Sequence, residues 1–376
     1  MTTGIVTAKR AYLREVPEGA RMMVLAKGTE MAVKGGPAAW AEVTVDGVDG
    51  VVSRRSFAAA QPIRHSRSVA RSTAPAIPPE AKASDIKVVG KSVNGPGGLA
   101  FGKLFKLGLF NYGRTTLDTF FDEDPQAFPD LPGSVQRVMR AVSANEGKIE
   151  AINTWDNAVL SCSIYQWTVS EGTGPGELPY ALSVLKTRAP ATFDTYFGVL
   201  GLDVTVTAPK PFAVGRGFFV LNGTKLATAA LKAPLRGHLW AYRFWRAAHD
   251  PQVRRAYVRA AIDRIPVFYG PPVAALGNRT LAAYLTSEVA VAHLLDQHVN
   301  RPGHVPKTIA QAIAEVAAKT GKTDPASWGE AEEKAAIARY LVLRAATSMT
   351  DSAGRAARIA DTVKAGRLSD KRGSYK

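Results

Sequence analysis

Glu146 and Asp156 are the two residues of this chain whose types and spacing are best suited to chemistry. They stand in the stretch Ser143-Ala-Asn-Glu146-Gly-Lys-Ile-Glu-Ala-Ile-Asn-Thr-Trp-Asp156, followed by Ser161 and by Tyr165-Gln166-Trp167. Two acids in unlike settings suit the cleavage of a glycosidic bond. One carboxylic acid, kept protonated by a desolvated pocket, gives its proton to the leaving oxygen. The other, across the sugar, activates water or steadies the oxocarbenium-like transition state. Glu150 competes for the second role, and Glu177 less strongly. Asn153, Thr154 and Gln166 offer hydrogen bonds to sugar hydroxyls, although Asn153 and Thr154 could equally serve hairpin backbone groups. Asp156 alone could close an Asx turn. Trp155 and Tyr165 present flat faces to a pyranose ring, whereas Trp167 reads as core.

These residues need a helix end and a facing hairpin to hold them. Leu131–Asn145 places Val135, Val138, Met139 and Val142 on one helical face, and Gly147 ends the run. Polar and aromatic residues with turn chemistry then predict a β-hairpin from 150 to 168. The glycine-rich run Gly172–Gly176 leads into the next helix. Further helical periodicity covers Leu239–Ala248, Val253–Ile265, Leu281–Val299, Ile309–Ala318 and Glu330–Ala346. Residues 86–376 therefore read as one α-rich domain with a short β element, ending in a polar tail, Leu368–Lys376, expected to fray. Asp296, His298 and Asn300, near a helix end, are further cleft candidates or simply cap residues. The polar interruption Thr347–Ser352 has no evident role.

The first 58 residues differ in kind. Short alternating runs separated by Lys27-Gly28-Thr29, Asp46-Gly47 and similar turns predict a small all-β barrel. Residues 59–85, rich in Ala, Pro, Ser and Arg, have too few large apolar side chains to pack a core and read as a flexible basic linker.

Leu13-Arg14, Leu25-Ala-Lys-Gly28-Thr29 with Met31, Trp40 with Val43, and Gly50-Val51-Val52 resemble bacterial Src-homology-3-like (SH3) domains, with Val51 where that family ends on a tryptophan. The resemblance implies a cell-wall-binding module. In the second part, Val142–Glu146, Asp156, Ser161, Ile164–Trp167 and Gly172–Leu178 resemble the lysozyme superfamily, and its chitosanase branch in particular. Glu and Asn are exchanged in order, the spacing between the two acids is shorter, and the double glycine before the apolar segment is missing. That resemblance implies a lysozyme-like α+β domain, with Glu146 as general acid, Asp156 as base and Ser161 holding the attacking water. The implied function is a peptidoglycan-degrading, muramidase-like glycoside hydrolase. A chitosanase-like hydrolase and a non-catalytic envelope-binding or virion structural protein are the alternatives.

The bulk composition limits the partners. With 48 Lys+Arg against 32 Asp+Glu, the net charge is +16. This favours an anionic cell envelope, and such a cation excess suits peptidoglycan better than polycationic chitosan. No zinc finger, basic zipper or RNA-binding signature points to specific nucleic-acid recognition. No run is apolar enough to span a membrane. The N-terminus lacks an apolar signal region, so synthesis in the cytoplasm is expected, with action on the cell wall, in the periplasm or outside the cell after non-classical delivery, as for a phage endolysin or a secreted antimicrobial effector. Cys162, the single cysteine, excludes an internal disulfide and reads as a small buried hydrophobe. His293, His298 and His304 do not form a metal motif, and neither a metal nor another cofactor is expected.

Overall fold

A computed structural model describes residues 2–6, 10–14, 21–26, 30–35, 39–45, 48–59 and 81–376. The chain divides into two compact units, residues 1–73 and 74–376. The turns expected at 27–29 and 46–47, and the part of the linker from 60 to 80, lie outside the described residues.

The first unit is all-β among its described residues, apart from one short 3-10 turn. Its strands are β1 (Thr2–Val6), β2 (Arg10–Arg14), β3 (Arg21–Ala26), β4 (Glu30–Gly35), β5 (Trp40–Val45), β6 (Val48–Ser53) and β7 (Phe57–Ala59). They pair antiparallel in the order β3-β2-β6-β5-β4-β1-β7. Alternation along β5 turns Ala41 and Val43 inward and leaves Glu42 exposed, the period-2 pattern of a half-buried strand.

The second unit is mixed, not merely α-rich. Seven short strands form one antiparallel sheet: β8 (Lys87–Val89), β9 (Ser92–Asn94), β10 (Ala100–Phe105), β11 (Gly108–Asn111), β12 (Ile152–Asn153), β13 (Ser161–Cys162) and β14 (Trp167–Thr168). They run in the order β14-β13-β12-β11-β10-β9-β8. The expected hairpin is thus the far half of a larger sheet, with Ile152 opposite Cys162 and Asn153 opposite Ser161. Segments of three to six residues interrupted by glycine and lysine give too weak a period for the 87–111 strands to stand out in the sequence. Gly108 explains how the halves join. A Cβ there would lie 2.3 Å from the Thr154 carbonyl oxygen, so only glycine lets β11 approach the second half this closely. A smaller sheet, β15 (Leu202–Thr207), β16 (Arg216–Leu221) and β17 (Thr224–Lys225), was also unexpected, as was the pair β18 (Pro272–Val273) and β19 (Arg279–Thr280).

The helices are α1 (Leu117–Glu123), α2 (Gly133–Ser143), α3 (Leu178–Arg188), α4 (Pro190–Tyr196), α5 (Ala229–Lys232), α6 (His238–Ala247) and α7 (Pro251–Ile262). After them come α8 (Arg264–Tyr269), α9 (Leu281–Tyr284), α10 (Glu288–Asn300), α11 (Val305–Thr320), α12 (Glu330–Ala345) and α13 (Ser352–Lys364). The periodicity predicted over Leu281–Val299 is broken in two by Thr286 and Ser287, and Ser287 caps α10 by accepting from Ala290 N–H. Ten of the thirteen residues of α10 are buried, so this helix runs through the core with partners on every side. It packs against α2, α8, α11, α12 and α13. Its acidic residues serve as cross-links: Glu288 takes a forked hydrogen bond from Arg137 on α2 and one from the Ser369 amide. Cys162 is buried as expected, within 3.5 Å of the Tyr257 hydroxyl, and burial pushes its thiol up to about 12.

The C-terminal tail is docked, not frayed. Leu368 is buried, Arg372 pairs with the buried Glu333, and Tyr375 N–H donates to the Thr286 carbonyl. Lys376 and Ser134 exchange hydrogen bonds. The polar composition is used to satisfy the start of α10 and of α2, where backbone and carboxylate groups need partners. Deleting residues 368–376 removes one buried leucine and strips cations and amides from two buried glutamates. The expected cost is on the order of 3–5 kcal/mol, read as a lowered urea midpoint of the full chain. An unchanged midpoint would show that the tail is not bound in solution.

Candidate active site

Helix α2 buries Val135, Val138, Met139 and Val142 and then unwinds through two tight turns. Asn145 N–H donates to the Val142 carbonyl at 2.9 Å, and Glu146 N–H to the Ser143 carbonyl at 3.1 Å. Gly147 N–H then donates to the Ile164 carbonyl at 2.9 Å, fastening the helix end to the turn at 163–166. That turn is held in an unusual backbone state, with Ser163 at φ 69° and Gln166 at φ 47°. The Gln166 side-chain amide steadies it by donating to the Ser163 carbonyl.

The Glu146 carboxyl is 11% exposed and accepts from the Arg355 guanidinium. Arg355 also donates to Asp296 on α10, from Nε at 3.0 Å and from a terminal nitrogen at 2.8 Å. The other Asp296 oxygen accepts from Arg344 of α12 at 3.1 Å, and neither of these two residues has any exposed side-chain surface. Asn145 closes the cluster. Its side-chain nitrogen donates to Asp296 and to the Arg355 carbonyl, while its own carbonyl accepts from Arg355. Glu146, Arg355, Asp296 and Arg344 thus form an unbroken buried row of alternating charge. Burial pushes the Glu146 carboxyl up to about 7 even with Arg355 beside it. Near neutral pH it can hold a proton, as a general acid must.

Asp156 sits in a different setting. One of its oxygens accepts from the Asn153 side chain at 2.8 Å, and the other from the Ala158 amide at 3.0 Å. Among the described residues no cation pairs with it. It borders a cavity of about 450 Å³ whose wall includes Lys106, Leu107 and Trp155. Lys106 and Trp155 are also part of the wall of a second cavity of about 600 Å³, which reaches past Asn153, Tyr112 and Gln166 to Gly147. The two cavities share these wall residues and make one cleft floored by aromatic rings. Trp155 packs edge-on to Phe105 at 4.9 Å between centroids, and Phe110 against Tyr112 at 5.0 Å. Asp156 borders the smaller cavity, and Gly147, next in the chain to Glu146, is part of the wall of the larger one; Glu146 itself lines neither, its carboxyl being buried against Arg355.

The remaining expected residues divide. Asn153, Trp155 and Gln166 contribute to the cleft wall. Thr154 is fully buried and its hydroxyl accepts from the Leu109 amide, so it holds the sheet together instead of meeting a sugar. Ser161 is 2% exposed in the strand between Asn153 and Thr168, and is not part of either cavity wall. Tyr165 belongs to the core, its hydroxyl donating to the Met139 sulfur, and so does Trp167. Burial alone would raise the Glu150 pKa, but the Thr115 hydroxyl, the Arg114 and Thr115 amides and Arg254 hold it lowered. That ties Glu150 down as a structural anchor. Glu177 is likewise paired, with Arg264 and Arg216.

Asp296, expected at the cleft border, is instead fully buried behind Glu146. His298 is also buried, and burial holds its ring well below the ordinary histidine range. Asn300 stands at the end of α10. No cluster of potential metal ligands occurs among the described residues. Arg344 and Arg355 were missed in the sequence. Their only trace is the Thr347–Ser352 interruption, which proves to be the reversal between α12 and α13. Ser348 (φ 58°) and Asp351 (φ 50°) bend the chain so that the two arginines reach the same aspartate. The Ser352 carbonyl also accepts from Arg344.

Two outcomes follow. Asp296→Ala leaves Arg344 buried without a counter-charge and is expected to cost about 3–5 kcal/mol in urea unfolding; a loss under 1 kcal/mol would mean the row is not buried as described. The second concerns pH. The folded-state pKa of Glu146 lies above the 4.5 of an unperturbed glutamate, so its favourable contribution is complete below pH 4.5 and is lost as pH rises through about 7. Glu146→Gln should therefore gain stability relative to the parent between pH 5 and pH 8, measured as the difference in melting temperature at each pH, and a constant difference would refute the raised pKa. Comparison with family models, with curated proteins and with solved structures finds no match to this chain, so the chemistry of the site rests on its own residues.

Proposed function

We propose that the second unit is a glycoside hydrolase of the lysozyme/chitosanase kind, with peptidoglycan as its substrate, and that the first unit is an SH3-like module that holds it to the cell wall. The observation that carries this is the contrast between the two acids. Glu146 is desolvated and protonatable near pH 7, and its chain neighbour Gly147 is in the wall of a cavity lined by aromatic rings. Asp156 is hydrogen-bonded only by neutral donors and borders the adjoining cavity.

In the proposed reaction, Glu146 donates its proton to the glycosidic oxygen as the bond from the anomeric carbon to that oxygen breaks. Asp156, oriented by Asn153 and the Ala158 amide, takes a proton from a water that bonds to the anomeric carbon from the opposite side. The Glu146 carboxylate formed is stabilised by Arg355 until solvent returns its proton. Direct attack by water with inversion is what the resemblance to the chitosanase branch implies, and a carboxyl separation of roughly 6.5–9.5 Å would be its signature. Trp155, Phe110 and Tyr112 supply apolar surface for pyranose C–H faces. Lys106, whose ammonium lies over the Trp155 ring at 4.8 Å and has no carboxylate partner among the described residues, lines both cavities; it disfavours a polycationic chitosan chain there and supports an anionic wall polymer.

Glu146→Gln and Asp156→Asn should each lower the release of reducing ends from purified sacculi by at least ~100-fold while the melting transition is retained. Parent kcat/KM should fall above pH 7 as Glu146 ionises. Mass spectrometry of the digest would identify the bond from the product ends. Undiminished release by the folded Glu146→Gln protein would overturn the assignment.

A further inference from the structure

Residues 86–112 contain Lys87, Lys91, Lys103 and Lys106 and no acidic residue at all. The same 27 residues hold six of the ten large hydrophobic side chains that stand exposed among the described residues. Such a concentration is unusual for a soluble surface, where exposed apolar residues normally occur singly. The sheet register gathers four of the six at one end. The turn after β8 and the turn between β10 and β11 are neighbours, since Leu104 N–H donates to the Lys91 carbonyl at 2.8 Å and Lys103 lies opposite Ser92. Val88 (46% exposed) and Val89 (66%), on the edge strand, are therefore at the same end of the sheet as Phe105 (44%) and Leu107 (70%), with β9 between β8 and β10 and with Lys91 and Lys106 in the two turns.

We propose that these paired hairpin tips are a docking surface for an anionic lipid bilayer. Three features select that occupant. Valine side chains offer no flat face to a sugar, and neither Val88 nor Val89 is part of either cavity wall, so the saccharide cleft does not account for them. The charged residues of 86–112 are all lysines, so pairing this segment with its counterpart in a second copy would bring like charges together. Lysines bordering aliphatic and aromatic side chains are the composition of an interfacial anchor. The apolar tips enter the headgroup boundary, while the lysine stems lie along it and keep their ammonium groups at the phosphates. Phe105, Lys106 and Leu107 also border the cleft, but contact of the tips with lipid needs neither Glu146 nor Asp156, and flotation reads it apart from hydrolysis.

The test is flotation of the full chain with vesicles of phosphatidylglycerol and phosphatidylethanolamine, and with vesicles of phosphatidylcholine. The parent should float with the first and stay behind with the second. Val89→Asp combined with Leu107→Asp should weaken binding by at least ~10-fold. Val199→Asp combined with Val342→Asp makes the same charge change at two exposed valines outside the tips, and it should bind within about twofold of the parent. Both double variants are compared at equal melting temperature. Equal loss in the two would show attraction by the overall +16 charge only, and equal flotation with phosphatidylcholine would remove the role of the lysines. Loss of binding to sacculi fragments by the tip variant, with no flotation of the parent, would assign the tips to polysaccharide. Each of these three results overturns the proposal.

Discussion

The second unit is organised around a fully buried aspartate with an arginine on each side. Asp296 cannot be left alone in the core, because removing an ionised carboxylate from water costs far more than one hydrogen bond returns. Two guanidinium groups and the Asn145 amide meet that demand, and in doing so they draw the end of α2, the middle of α10, the end of α12 and the start of α13 to one point. Such a cluster is a poor source of net stability, since apolar residues of the same volume would often serve as well. What it supplies is position. The helix end that carries Glu146 has little freedom to move, and Gly147 is pressed against the 163–166 turn so closely that an added Cβ would lie 3.0 Å from the Gln166 side chain.

The same row explains how an acid beside an arginine can stay protonatable. Arg355 divides its hydrogen bonds between Glu146 and Asp296, and the aspartate's own negative charge pushes the glutamate further toward its neutral form. Asp156 has none of these influences. It lies among neutral donors beside an open cavity, so the fold itself makes the two carboxyl groups chemically unlike. Under the proposed reaction this inequality allows one kind of group, the carboxyl, to supply both the acid and the base.

Much of this was legible from local pattern and some was not. Long helices with a clear apolar stripe, α2, α6, α7, α11 and α12, announced themselves, and so did the helix end bearing Glu146. Asn153, Trp155 and Gln166 could be picked out because they follow a helix stop in a stretch of turn-forming residues. Thr154 and Ser161 could not be told from site residues, because a hydroxyl facing a sugar and one facing a backbone amide look identical in a sequence. The strands between 87 and 111 were hidden by their brevity. The arginine pair was hidden because contacts across 48, 59 and 209 residues leave no periodic trace. Lys106 and Phe105, which shape the cleft from the opposite hairpin, were missed for the same reason.

Cys162 lies on β13, one strand in from the edge of the seven-stranded sheet, its thiol closed off from water and raised to about 12 by burial. It is the chain's one cysteine, so an alkylating reagent has a single target that it cannot reach while β12, β13 and β14 remain paired. The rate of its modification would count openings that part this end of the sheet from Tyr257 on α7. The molecule thus carries its own gauge of how often these paired strands come apart.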